Sequence, residues 1–139
     1  MSYFDEELEK ELSESSINFE KLKSDAHDNF VSIINKTLPF SGSKISWNSF
    51  PNSMSYARSE YDEAFRAISE KLKALRIPEI VFIGDALTES AYKTSTNDFE
   101  TTMAIFADIP QHTYFFSDNL SFIGCISSEG EINFSEILS

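Results

Sequence analysis

Two histidines, one cysteine and twenty-three carboxylates are the first side chains of this 139-residue chain to weigh for reaction chemistry. Cys125 stands alone, which rules out cysteine-based zinc spacing, and no H-E-x-x-H pair or G-x-S-x-G elbow occurs. His27 lies between Asp25 and Asp28 in a helix-spaced stretch. With no second histidine close by, an exposed or hydrogen-bonded ring explains it better than a metal ligand. Cys125 falls in mid-strand among isoleucines, the setting of an inert buried thiol rather than a nucleophile. His112 follows Pro110-Gln111 at the start of a strand and needs a carboxylate brought beside it before it can move a proton. Gly42-Ser43-Lys44 lacks the upstream glycine and the Gly-Lys-Ser/Thr order of a phosphate cradle. No residue is therefore assigned as catalytic, no metal ligand is assigned, and no cofactor is expected.

The elements that must position these groups are read from periodicity. Tyr61, Phe65, Ile68, Leu72 and Leu75 recur at helical steps, while Arg58, Asp62, Arg66 and Glu70 form a solvated ladder on another face. A helix over about 56–76 follows, ended by Arg76 and Pro78. Ile80-Val81-Phe82-Ile83 is then apolar on both alternating faces, which predicts a central strand over 79–84 covered on both sides. Upstream, Tyr3 to Ser13 suits a short charged helix with Phe4, Leu8 and Leu12 on one side. Ile17, Leu22, Ala26, Phe30, Ile33, Ile34 and Leu38 predict a long helix over 17–38, with Ser16 as N-cap and Pro39 as its stop. Between Gly42 and Pro51, Ile45 and Trp47 share a face of a short edge strand.

Residues 85–98 are polar and read as a long connection, functional or mobile. Asn97 or Asp98 caps a short helix with Phe99, Met103 and Phe106 inward, although a strand over Thr101–Phe106 is the alternative. The tail reads as a meander over 112–134: HTYFFS, then LSFIGCIS with Leu120, Phe122, Gly124 and Ile126 on one face, then EINF. Gly130 sits where a turn uses positive φ, and Asp118 and Glu129 fall at turns. The fold class is α+β: one domain over 1–139, with a mainly antiparallel sheet packed against the helices.

Charge narrows the partners. Residues 1–76 hold thirteen acids and ten bases, whereas residues 77–139 hold ten acids and the single base Lys93, so −9 of the net −12 lies in the second part. Direct nucleic-acid binding, which needs clustered Lys and Arg, is not expected. A basic macromolecule is the better match. The acidic start resembles no secretory signal, and no run of about twenty apolar residues suggests a membrane span. With one cysteine, the expected compartment is the cytoplasm. The candidate contact residues are Asp85, Glu89, Tyr92, Asp98, Glu100, Tyr114, Asp118, Glu129 and Glu131, expected to converge on one negative face.

The inner strand IPEIVFIGD, the polar stretch TESAYKTSTND and the acid-decorated close IPQHTYFFSDNLSFIGCISSEGEINFSEI together resemble a bacterial immunity protein. The type is that which neutralises a contact-dependent growth inhibition toxin or a related polymorphic toxin. The resemblance implies a non-enzymatic inhibitor that is a monomer in a heterodimeric complex. Its partner would be the carboxy-terminal toxin domain encoded beside it, usually a nuclease and often basic. Two readings of other classes stay open: a phage- or plasmid-type decoy that mimics nucleic-acid charge, and a small enzyme using His112 with a carboxylate.

Overall fold

The strand expected over 79–84 is β5 (Glu79–Gly84), and it lies inside a seven-stranded antiparallel sheet. The computed structural model describes residues 2–23, 25–38, 40–41, 44–45, 47, 50 and 53–137. The helix stop at Pro39, the bounds Gly42 and Pro51, and the Gly42-Ser43-Lys44 loop fall on or across positions outside the described residues. Ile80 and Phe82 of β5 enter one core, and Val81 and Ile83 enter a second on the opposite face. Unbroken apolar character is what two-sided burial demands.

The larger core lies under α1 (Tyr3–Glu14), α3 (Tyr61–Ala74) and α4 (Phe99–Ala107). Leu8 and Leu12 of α1, Phe65, Ile68 and Leu72 of α3, and Phe99, Met103 and Phe106 of α4 point into it, as their spacing requires. Residues 101–106 are thus helical, and the strand alternative falls. The smaller core lies under α2 (Ala26–Thr37), which contributes Ile34. The two-residue strands β2 (Phe40–Ser41) and β3 (Lys44–Ile45) form a separate hairpin rather than an edge of the main sheet. Ile45 and Trp47 both pack into the smaller core.

The helix expected over 17–38 begins only at Ala26, because its apolar residues serve two cores. Ile17 and Phe19 enter the larger one, while Leu22, Ala26, Phe30, Ile34 and Leu38 enter the smaller one. One helix cannot pass round a sheet edge, so the chain leaves α1 through Ser16 at φ 59. It then forms the edge strand β1 (Phe19–Lys21) before re-entering a helix on the far side. Ile33, expected inward, is 46% exposed. The helix expected from 56 starts at Tyr61, because β4 (Met54–Tyr56) pairs with the last strand and a 3-10 turn, Arg58–Glu60, intervenes. Its last apolar position, Leu75, lies beyond the helix and is 38% exposed.

The polar stretch 85–98, expected to be a connection throughout, holds the strand β6 (Tyr92–Ser95), hydrogen-bonded between β1 and β5. Tyr92 and Thr94 fill the larger-core side, a burial that threonine hides from a hydropathy reading. The meander forms, with β7 (Thr113–Phe116), β8 (Phe122–Ile126) and β9 (Ile132–Glu136), but Leu120, expected on the face of Phe122 and Ile126, lies before β8 at φ 53 and packs against the smaller core while those two enter the larger one. The sheet order is β1-β6-β5-β7-β8-β9-β4. Gly124 opposes Phe115 in this ladder, and a Cβ there would lie 2.0 Å from the Phe115 ring. That missing side chain makes room for an aromatic layer in which Phe115 lies near Phe82, Phe99 and Phe122. Gly130 takes φ 99 in the last turn, as expected.

Candidate functional site

The loop leaving β5 is built inward from two side chains that polar-residue patterns did not single out. Gln111 is buried, and its Oε1 accepts from three consecutive amides: Ala86 (3.2 Å), Leu87 (2.7 Å) and Thr88 (3.2 Å). Its Nε2 donates to Thr88 Oγ1 at 2.9 Å. Asp5 of α1 takes the next two amides, Glu89 at 2.8 Å and Ser90 at 3.2 Å. The loop's donors are thereby satisfied from within, and Asp85 and Glu89 are left projecting from a fixed backbone. Asp5 carries a signal in the sequence, being an acid on the face of Leu8 and Leu12. Gln111 carries none.

Both histidines flank the end of β5. His27 Nε2 donates to the Gly84 carbonyl at 2.6 Å, which draws the first turn of α2, with Asp25 and Asp28, against the loop. On the other side the Asp85 amide donates to the His112 carbonyl (3.1 Å), and the His112 amide returns a bond to Asp85 Oδ1 (3.0 Å). His112 Nδ1 accepts from the Ser128 amide at 2.9 Å. In a neutral ring so bonded, Nε2 carries the proton and neither nitrogen keeps a lone pair for proton abstraction. The contact ties the β8–β9 turn, with Glu129, to the start of β7.

Tyr114 lines two grooves on the α2 side of the sheet. One, of about 190 Å³, is edged by Asp85 and floored by Val31, Ile34 and Ile83. The other, of about 100 Å³, is edged by His112 and Glu131, with Trp47 and Cys125 on its walls. Burial first, then the neighbouring Cys125 thiol and Asp85 carboxylate, push the Tyr114 phenol well above its ordinary range. It therefore stays protonated beyond the pH near 10 at which an ordinary tyrosine ionises. Aromatic anchor, apolar walls and acidic rim are features of a protein-docking surface.

The nine expected contact residues do not form one face. Asp85, Glu89, Glu129 and Glu131 gather with Tyr114 at the end of the sheet where β5 stops. Asp98 and Asp118 lie at the opposite end, because Ser95 pairs with Glu79, and Phe116 with Val81, where β5 begins. Asp118 is also bonded to Lys93 at 3.1 Å. Glu100 sits on α4 in a shallow groove beside Asp62 and Arg66 of α3. Tyr92 is no surface contact: it is fully buried, its hydroxyl 2.8 Å from Asp5 Oδ1 and 3.0 Å from Glu9 Oε2. The gathered end is not free of positive charge, since the Arg58 stem packs over Gly130.

Among the described residues no group of three or more His, Cys, Asp or Glu is placed to hold a metal ion, and no helix is long and apolar enough to cross a membrane. Fold and site thus define an α+β protein with an acid-rimmed sheet end at which Tyr114 lines two grooves. No family model matches the chain, and no curated protein matches it significantly.

Proposed function

We propose that this chain is a non-enzymatic inhibitor of the immunity-protein type, acting in the cytoplasm. It captures a basic toxin domain of the contact-dependent growth inhibition kind at the sheet end around Tyr114. One observation carries the reading: Tyr114 lines two adjacent grooves, one rimmed by Asp85 and the other by Glu131. Acids on a rigid rim steer a basic partner inward and raise the association rate. The aromatic and apolar floor then slows departure, which is where most differences in affinity arise. The inward clamping by Gln111 and Asp5 supports the same reading, because a preordered loop loses little entropy on binding.

The test is a pair of charge reversals at opposite ends of one sheet. Asp85→Lys with Glu131→Lys should abolish protection against the toxin domain encoded beside the gene and weaken its binding by about a hundredfold or more. Asp98→Lys with Asp118→Lys should leave both within about threefold. Equal effects from the two pairs would remove the basis for placing the interface at the Tyr114 end.

A further inference from the structure

On the other side of the sheet, a groove of about 180 Å³ runs between α1 and the end of α4. Leu8, Ile105 and Ile109 form its floor, and Tyr3 stands at its mouth with 67% of its surface exposed. Among the described residues, the charged ones that line it are all acids: Glu7 and Glu11 from α1, and Asp108 from the C-cap of α4. Lys10 projects from the same helix but does not line the groove.

We infer that this groove is a docking site for a basic amphipathic helix of a partner protein. Charge complementarity selects the occupant. An apolar floor with a wholly acidic lining charge repels anionic lipid and nucleic acid, and it accepts an apolar side chain flanked by Lys or Arg. Geometry selects a helix. Glu7 and Glu11 are one turn apart, about 6 Å along their axis, which is the spacing of two lysines four apart on an opposing helix. An apolar residue between those lysines reaches the floor, as in other helix-in-groove recognition. The position of Asp108 at the C-terminal end of α4 leaves a carboxylate beside the helix's own negative pole, which adds to the attraction for a cation. This surface goes beyond the Tyr114 end and does not rest on the inhibitor reading, since the two lie on opposite sides of the sheet.

The probe is a synthetic peptide of about eighteen residues, leucine and lysine patterned as an amphipathic helix. Its controls are a scrambled peptide of the same composition and a peptide with glutamate in place of lysine. With isotope-labelled full-length protein, the patterned peptide should shift the amides of Tyr3–Glu11 and Ile105–Ile109 and saturate. The scrambled peptide should bind at least about tenfold more weakly and the glutamate peptide not at all. Glu7→Lys with Glu11→Lys, at unchanged melting temperature, should weaken the patterned peptide at least about tenfold, and Asp108→Lys alone should weaken it measurably. Equal binding of the scrambled peptide, shifts centred on Tyr114 instead of α1, or indifference to the Glu7 and Glu11 reversals would each overturn the proposal.

Discussion

Asp5 and Tyr92, 87 positions apart in the chain, meet inside the protein through a 2.8 Å hydrogen bond from the phenol to the carboxylate. The same carboxylate takes the Glu89 and Ser90 amides and lies beside the Ser2 hydroxyl, so α1, β6 and the loop between β5 and β6 close on one buried charge. A buried carboxylate is tolerable only with its acceptor capacity filled, and here it is filled. Removing it strands the Glu89 and Ser90 amides and leaves the Tyr92 phenol only its 3.0 Å contact with Glu9. Asp5→Ala should cost about 3 kcal/mol in urea unfolding, and Tyr92→Phe about 1 kcal/mol.

The same site predicts a pH dependence. Burial by itself would raise the Asp5 pKa, but hydrogen bonds from Ser2, Glu89, Tyr92 and Ser90 outweigh it and hold the group below its ordinary 3.8. A carboxyl whose folded pKa is depressed stabilises the fold fully above the unfolded value and loses that contribution as pH falls through the folded one. The stability gap between the parent and Asp5→Asn should therefore be constant from about pH 7 to 5 and shrink below about 3.8. A gap that widened on acidification would contradict the bonding pattern.

Gln111→Ala removes the one acceptor shared by the Ala86, Leu87 and Thr88 amides. Hydrogen exchange at those three positions should accelerate at least about tenfold while β5 and β7 amides change little, because the freed donors can reach water only if the loop opens. If the Tyr114 end is the interface, the variant should also bind the toxin domain more weakly through the cost of reordering that loop.

What the sequence made legible follows from how many cores a segment serves. β5 and α3 were readable because each pattern answers a single demand: two-sided burial for Ile80–Ile83, and one stripe for Phe65, Ile68 and Leu72. The stretch from Ile17 to Leu38 serves both cores in turn, and its spacing imitates a continuous helix. β6 was hidden because Thr94 fills a core position with a polar-looking side chain. The acids show the same limit at longer range. Asp118 and Glu129 both sit in meander turns, yet successive turns of a meander lie at opposite ends of a sheet, so sharing a segment never implied sharing a face.

Packing at Gly124 gives a prediction with its own internal control. A methyl group there would stand 2.0 Å from the Phe115 ring, inside the aromatic layer of the larger core. Gly124→Ala should destabilise by about 1–3 kcal/mol, the usual cost of overpacking. Shortening the opposing side chain in a Gly124→Ala, Phe115→Leu double variant should recover part of that loss, giving a coupling of about 1 kcal/mol. Additive losses would mean that the contact is not the source of the strain.

Tyr114 ties the stability of the fold to the proposed interface. Its phenol is held above the ordinary value of 10.0 by burial and by its Cys125 and Asp85 neighbours, and that of Tyr92 is raised further by burial and Asp5. Each group is neutral when protonated, so the unfolded chain releases these protons at a lower pH than the folded one. Folding stability should accordingly fall as pH rises past about 10, and Tyr114→Phe should flatten part of that fall. In ultraviolet titration of the folded protein, the Tyr114 phenolate signal should be absent near pH 10 and emerge only with alkaline unfolding. Asp85→Asn should lower the onset only slightly, because burial is the larger cause. A Tyr114 signal titrating freely near pH 10 would mean that the phenol is wet, and a wet Tyr114 could not be the apolar anchor between the two grooves.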